Sequence, residues 1–369
     1  MAAPVRLLIL GTGNMGRTHV EAYKQMENVE IVAGVDARPD ALNAFCDEFG
    51  IAQRYHTLDE AILQCDFDAA SNVTPDAAHY ATSMSLLASG KHVLCEKPLT
   101  TDFALALEMV AAAQAAGKVN MLNLSYRNVP ALQAAAKLVA DGAIGEIRHF
   151  DASYLQSWLT QPAWGDWKTD PAWLWRLSTA HGSKGVLGDV GIHIIDYATF
   201  IAGLSPVQVS ARLKTFHKAP FDRIGDYPLD ANDSAVMHLE LENGALGTIS
   251  ATRFASGHHN DLYLRIYGDL GALEVSFEDA TSVLRSCIGP DALLSQTWSD
   301  VACPPVPTVY ERFISAIQNG TPSEPDFKRG AQLQEVLDLA QRSDELESRA
   351  LHINPVDPNA AEPIPRELL

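Results

Sequence analysis

Three short stretches of this 369-residue chain carry residue types whose spacing could do chemistry. The first, Gly11-Thr12-Gly13-Asn14-Met15-Gly16, fits G-x-G-x-x-G and lies between an apolar run at residues 5–10 and a segment that reads as a helix. In that setting the first glycine permits a tight turn, the second lets a pyrophosphate reach the backbone, and the third lets helix and strand pack closely. The helix start then offers N–H groups and a positive dipole end to phosphate. Asp36 ends the next apolar run, 20 residues after Gly16, where an acid meets ribose hydroxyls. A carboxylate there favours NAD over NADP because it repels a 2′-phosphate, while Arg38 softens that discrimination. The second stretch is Cys95-Glu96-Lys97-Pro98, after an apolar run at residues 91–95. The third runs Gly188-Asp189-Val190-Gly191-Ile192-His193-Ile194-Ile195-Asp196, with Asp189 and His193 at i and i+4 and Asp196 at i+7. On a helix all three share a face. A metal held by them would need more ligands, and none cluster nearby, so no metal is expected.

Positioning these groups requires a frame, and the first 125 residues supply one. Apolar runs at 5–10, 29–35, 67–73, 91–95 and 119–123 read as buried strands. Segments 15–26, 41–49, 77–88 and 102–116 are long enough for crossover helices, the last capped by Thr101 or Asp102 and closed at Gly117. Such alternation implies a doubly wound parallel sheet covered on both faces. After about residue 125 the pattern changes to a helix at 130–141, a strand at 146–155, a tryptophan-rich loop and a helix from Gly188. Strands follow at 207–216, 235–241, 245–253, 262–267 and 271–277, with Asn243-Gly244 as a hairpin turn whose two central positions tolerate positive φ. Helical periodicity returns at 310–319 and 329–346. The expected fold class is α/β, a doubly wound domain at 1–125 followed by an α+β domain at 126–351 with a large, mostly antiparallel sheet. The C-terminal helix is a candidate to pack back on the first domain. A proline-rich tail at 352–369 is expected to be held down by packing, a neighbouring subunit being one place for it.

Composition excludes several classes. Lys+Arg number 27 against 46 Asp+Glu, a net charge of −19, so neither nucleic acid nor an anionic membrane finds the basic face it needs. Five scattered cysteines with no C-x-x-C argue against a disulfide framework or a zinc cluster. The apolar run at 5–10 is too short for a signal peptide or a membrane span, and a reducing cytoplasm is the expected location.

Together, the glycine fingerprint, Glu96-Lys97-Pro98 and the D-x-x-x-H stretch resemble the glucose–fructose oxidoreductase/inositol dehydrogenase/rhizopine-catabolism (Gfo/Idh/MocA) family. Tyr126-Arg127-Asn128-Val129-Pro130, Asp141-Gly142-Ala143-Ile144-Gly145-Glu146-Ile147 and the helix near Arg329 extend the resemblance from Val5 to about Ala350. It implies a Rossmann domain and an open-faced substrate domain, assembled as a homodimer or homotetramer through the exposed sheet. It implies a catalytic set of Lys97, Asp189 and His193. Hydride removal from C–H while the hydroxyl becomes a carbonyl needs a base and a positive donor for the developing alkoxide. His193 suits the base, Lys97 the donor, and Asp189 pairs with Lys97 or orients a hydroxyl. On the cofactor side Asn14 and Met15, within the fingerprint, and Ala37 and Arg38, beside Asp36, join the glycines as candidate binding residues. The resemblance puts Asn72, Thr74, Pro75 and His79 in the loop at the nicotinamide end and Glu96 at the nicotinamide ribose.

Five of the six tryptophans, Trp158, Trp164, Trp167, Trp173 and Trp175, fall in one segment. Aromatic planes match the C–H face of a sugar, and they equally serve to anchor a long loop or a subunit contact. Arg176 is the candidate entrance residue for substrate hydroxyls, joined by Trp175, Tyr126 and Arg127, with Asn123 and His181 as further candidates. The expected function is NAD-dependent oxidation of an inositol or a pyranose sugar. Its rivals are a glycoside hydrolase using transient oxidation on the same scaffold and a non-catalytic dinucleotide-binding regulator.

Overall fold

A computed structural model describes residues 3–354, which divide into two compact units, 3–124 with 307–334 and 125–306 with 335–354. In the first unit six strands form one parallel sheet: β1 (Val5–Leu10), β2 (Val29–Val35), β3 (Gln53–Tyr55), β4 (Ala69–Asn72), β5 (His92–Cys95) and β6 (Asn120–Leu122). Their order is β3-β2-β1-β4-β5-β6, so the winding reverses between β1 and β4, the crevice where open α/β sheets bind ligands. The crossovers are α1 (Asn14–Tyr23), α2 (Pro39–Phe49), α3 (Leu58–Gln64), α4 (His79–Ala88) and α5 (Phe103–Ala116). Leu7, Leu8 and Ile9 are fully buried because helices cover both faces. Asp102 caps α5 by accepting from the Ala104 and Leu105 N–H groups, and Gly117 ends it at φ 59°. The hydrophobic pattern missed β3 and α3. β3 is three residues of polar, mostly exposed edge, too short for a period to register, and α3 is started by a Thr57/Glu60 capping box.

The second unit is built on a nine-stranded sheet. Its elements are α6 (Pro130–Ala140), β7 (Ile147–Gln156), α7 (Pro171–Leu174), α8 (Ile192–Ala202), β8 (Pro206–Lys214), a small β9 (Arg223–Ile224) and β10 (Tyr227–Pro228) hairpin, β11 (Ser234–Leu241), β12 (Leu246–Thr252), β13 (Asn260–Gly268), β14 (Gly271–Glu278), β15 (Thr281–Ile288), α9 (Pro290–Ser295) and β16 (Ser299–Asp300). The sheet order is β16-β15-β14-β13-β7-β12-β11-β8-β17, where β17 is Leu351–His352. Every neighbouring pair is antiparallel except β7 with β12. α8 packs on β7, β12 and β13, and α6 on β14 and β15, so one face carries the core while Val236, Leu246 and Val283 stand exposed on the other. The Asn243-Gly244 turn joins β11 to β12, but only Gly244 takes positive φ, at 83°. The Asn243 side chain instead accepts from the Ala245 N–H at 3.0 Å. Trp158 and Trp167 are buried with Leu174, Leu177 and Leu229 in a separate small core, so these two tryptophans anchor their own loop.

Two helices complete the chain: α10 (Val309–Asn319), whose Val309, Tyr310, Phe313 and Ile314 join Val20, Tyr23 and Ile9 in the core of the first unit, and α11 (Phe327–Glu345). From residue 355 the tail lies outside the described residues.

Candidate active site

The glycine fingerprint occupies the carboxyl end of β1. Gly11 has φ +106°, and a Cβ there would sit 2.5 Å from the Val73 carbonyl oxygen, so only glycine fits. A Cβ on Gly16 would lie 2.4 Å from the Gly11 carbonyl oxygen. Gly13 differs, because a Cβ there would meet nothing within 4 Å. α1 begins beside it with no side chain capping its first N–H groups, and Asn14 and Met15 are exposed on that turn. Open ground in front of unclaimed helix donors fits a pyrophosphate.

Asp36 follows β2 and is tightly held. Its Oδ2 accepts from the Thr12 N–H at 3.0 Å and the Thr12 hydroxyl at 2.7 Å. Arg38 forks it, Nε to Oδ1 at 3.0 Å and Nη2 to Oδ2 at 2.9 Å. Partial burial works to raise the carboxyl, but the Arg38 and Thr12 bonds outweigh it and hold it well below the usual carboxylate range. Ala37 and most of Arg38 are exposed beside it. Sequence reasoning did not single out Thr12.

The loop after β4 is held by two buried polar residues. Asn72 is fully buried and donates to Thr82 Oγ1 at 2.8 Å and Ser83 Oγ at 3.0 Å, while its Oδ1 accepts from the Thr74 hydroxyl at 2.8 Å. His79 is equally buried, with Nδ1 2.7 Å from the Pro98 carbonyl and Nε2 2.8 Å from the Thr74 carbonyl. Burial works against charge on that ring, but Cys95, Asp76 and the Pro98 carbonyl overcome it and raise its pKa to about 10. Asn72 and His79 therefore brace the loop carrying Thr74 and Pro75 through their protein partners.

Glu96 is likewise an internal strut. Its Oε1 accepts from Asn123 Nδ2 at 2.6 Å and lies 2.9 Å from His19 Nε2, while Oε2 accepts from the Lys97 N–H at 3.2 Å. His19 continues to Ser71 Oγ at 2.6 Å. Burial pushes the Glu96 carboxyl up, and His19, Asn123 and Lys97 more than reverse this, holding it at about 2. Glu96 is thus a buried acid that also fixes the main chain of Lys97. Asn123 belongs to this network, and His19 was missed because a histidine inside a helix pattern carries no signal of its partners.

In the second unit a wide π-helical turn, Leu187–Gly191, precedes α8. Gly188 has to be small, since a Cβ would lie 2.4 Å from Lys184 Cβ. Asp189 sits on this turn and His193, largely buried, on the first turn of α8. Asp189 Oδ2 accepts from Arg253 Nη2 at 3.0 Å and lies 3.6 Å from Arg176 Nε. Arg253 is fully buried, donates from Nη1 to the Arg176 carbonyl at 3.0 Å and lies 5.0 Å from the centre of the Trp158 ring. Arg176 itself rests 4.7 Å from the Trp175 ring and 5.0 Å from that of Trp173. The structure thus brings Asp189, Arg176 and Trp175 together and adds Arg253, which no motif announced.

His193 meets the edge of Tyr126, ring centres 5.0 Å apart at 85°, and Tyr154 at 6.4 Å. The two tyrosine hydroxyls bond each other, and Asn260 bonds both, each at 2.8 Å. Burial raises both phenols, with the Asp189 charge adding to it, so they stay neutral hydrogen-bonding groups. Tyr154 and Asn260 were not foreseen: strand alternation places Tyr154 inward but does not say what it meets.

Arg127, expected at the substrate, is engaged within the protein. It is buried, bonded through Nε and Nη2 to Asp196 at 2.6 and 2.8 Å, and stacked 3.4 Å over Phe200. Asp196, one helix turn beyond His193, is the carboxylate that Arg127 engages, a structural partner rather than a member of the catalytic set. His181 is exposed, 2.9 Å from the Ser178 hydroxyl and packed on Tyr227. Lys97 lies in the first unit, Asp189 and His193 in the second. Among the described residues no group of three or more His, Cys, Asp or Glu side chains could hold a metal, and no helix is long and apolar enough to cross a membrane.

Comparison with known proteins bears on both units. Residues 5–124 match the family model described as "Oxidoreductase family, NAD-binding Rossmann fold", and residues 132–274 match "GFO/IDH/MocA C-terminal domain". The chain is similar to the crystal structure of an oxidoreductase domain protein from Kribbella flavida, with 30% identity and a TM-score of 0.84 over 96% of this chain and 100% of that one. It is also similar to levoglucosan dehydrogenase in complex with NADH, at 25% identity and a TM-score of 0.85 over 96% and 100% of the two chains. Inositol 2-dehydrogenase of Rhizobium meliloti (strain 1021) is 26% identical over 343 residues, covering 92% of this chain and 96% of that protein.

Proposed function

The chain belongs to the Gfo/Idh/MocA family of NAD-binding oxidoreductases, and from that premise we propose that it oxidises a ring hydroxyl of a cyclic polyol or sugar, an inositol or a pyranose, to a ketone or lactone. The observation that carries this reading is the group in the second unit formed by His193, Tyr126 and Tyr154 beside an Asp189 held by Arg253. A base, a fixed carboxylate and two neutral phenols suit a ring that offers several hydroxyls and gives up one proton. Nicotinamide, when bound, supplies the hydride acceptor. His193 takes the hydroxyl proton at a ring nitrogen. The Lys97 ammonium offsets the charge left on the oxygen, and Glu96 steadies the main chain that carries it. Asp189 is the carboxylate against which the remaining hydroxyls orient, with Tyr126, Trp175 and Arg176 around the ring. NAD is preferred over NADP because Asp36 is a carboxylate where the ribose diol binds. The exposed sheet face with Val236, Leu246 and Val283 supports assembly as a homodimer or homotetramer.

The test is NADH formation, followed by absorbance, across myo-inositol, scyllo-inositol, D- and L-glucose, xylose, anhydrosugars and simple glucosides. Stoichiometric NADH from at least one ring polyol is expected. Release of sugar from a glucoside at constant NADH would replace the dehydrogenase with a hydrolase, and no turnover with NAD bound would replace it with a regulator.

A further inference from the structure

The second unit contains a cavity of about 710 Å³, within the ~300–1,000 Å³ range of pockets that enclose a ligand of several rings or chains. It is lined from four directions: the segment from Ser125 to Pro130, the start of β13, the β14–β15 turn and Trp164 of the tryptophan loop. Two of its walls, Tyr126 and Asn260, belong also to the group around His193. Tyr126 meets His193 edge-on and Asn260 bonds the Tyr126 hydroxyl, so the cavity shares two of its lining residues with the group around His193.

The lining says what chemistry fits. No lysine or arginine lines it, and Asp279 contributes a carboxylate beside His259, which disfavours phosphorylated or carboxylated ligands. Trp164 packs between Trp173 at 5.7 Å and His259 at 4.8 Å. Asn128, His259, Asp279 and Ser282 bring polar side chains to the wall, while the Asn260 amide is engaged by Tyr126, Tyr154 and Gln156. Aromatic surface beside short polar side chains matches the C–H face and hydroxyl rim of a sugar. The turn presenting Asp279 is held in the left-handed region at two non-glycine positions, Asp279 at φ 47° and Ala280 at φ 61°. Positive φ at both positions is what the two-residue turn joining β14 to β15 requires.

From these observations we infer that the cavity binds a second sugar ring, so that the preferred substrates are neutral disaccharides rather than free monosaccharides or cyclitols. The inference rests on the proposed oxidation of a ring hydroxyl at the His193 site and adds the substrate's second ring. Hydride and proton leave the first ring only, while the second contributes binding energy.

The holoenzyme with NAD is assayed with cellobiose, maltose and trehalose against glucose and the methyl glucosides, with phenyl β-glucoside as an arm for an aromatic aglycone. Tryptophan fluorescence titration with the same sugars gives binding without turnover. At least one disaccharide is expected to bind and turn over at least ~10-fold better than its monosaccharide, a difference of ~1.4 kcal/mol. Ser282→Tyr, which fills the cavity from β15, should abolish that advantage and leave methyl glucoside within ~2-fold. Asp279→Ala should weaken disaccharide binding in the same sense if Ser282→Tyr folds poorly. Equal affinity of the parent protein for disaccharides and monosaccharides overturns the inference, whatever NADH is formed. A gain confined to phenyl β-glucoside also overturns it, in favour of an aromatic aglycone. Absence of NADH with every sugar, alongside intact disaccharide binding, strikes only the dehydrogenase reading.

Discussion

Replacing Arg253 by methionine separates a positioning role from a structural one. The guanidinium is fully buried and makes two hydrogen bonds, to Asp189 Oδ2 and the Arg176 carbonyl, both 3.0 Å. Hydrogen bonds from a charged donor are worth ~1.5–3 kcal/mol each, so their loss costs ~3–6 kcal/mol before compensation. Against this stands the desolvation of a buried cation, several kcal/mol, which an apolar side chain of similar volume avoids. The Arg253 Nε is buried with no hydrogen-bond partner and adds to what substitution relieves. The relief is partial, because Asp189 and the Arg176 carbonyl lose this donor, and removing one partner of a buried ion pair costs ~3–5 kcal/mol. At ~2–4 °C per kcal/mol for a unit of this size, the melting temperature should fall by ~6–20 °C. Activity has no such compensation. Without the fork, the Asp189 carboxylate and the Arg176 segment lose a common anchor, and misplacement on the ~1 Å scale costs ~100-fold in rate. The expected result is a kcat reduced ~100-fold with the affinity for NAD unchanged, because the dinucleotide groups lie in the other unit. Arg253→Lys keeps the charge but cannot span both acceptors and should fall between. Thermal melting, NAD titration and steady-state kinetics on one preparation decide it. A kcat within ~3-fold of the parent refutes the positioning argument, and loss of the folding transition refutes the energetic one.

Other substitutions test the remaining assignments. Lys97→Ala should lower kcat at least ~100-fold, the scale of acid–base and electrostatic terms, while calorimetry still detects NAD binding. Asp36→Ala should release Arg38 from its fork, weaken NAD and strengthen NADP by ~10-fold or more each, and unchanged cofactor constants would remove Asp36 from the ribose site. The Glu96 carboxyl is held at about 2 against an ordinary 4.5, so the stabilisation it supplies is complete above pH 4.5 and is lost as pH falls through 2. The stability difference between parent and Glu96→Gln, read from urea midpoints, should therefore shrink on acidification across that window, and a constant difference would contradict the network.

What the sequence made legible follows from the range of the signals. The parallel sheet was readable because each buried strand is a continuous apolar run, and the fingerprint because its glycines answer to local sterics at Gly11 and Gly16. β15 was not readable, since the turn before it uses Asp279 and Ala280 at positive φ where Gly or Asn would have marked it. The partners of charged side chains were harder still. Arg127 and Asp196 are 69 residues apart, and Arg253 and Asp189 are 64 apart, so neither pair leaves a local pattern. Motif spacing placed Asp189 and His193 on one stretch, but the assignment of Arg127, Asn72 and His79 as braces needed coordinates.

The parallel pairing of β7 with β12 bears on how the chain is made. β7 ends at Gln156, and the strands that flank it finish at Thr252 and Gly268, 96 and 112 residues later. At ~5–20 residues per second of synthesis, the centre of the sheet waits ~5–20 s on the ribosome with both edges unpaired. During that interval its amide groups are an open template for neighbouring nascent chains, so yield in cells should respond to translation speed and holdase supply more than to the stability of the finished fold.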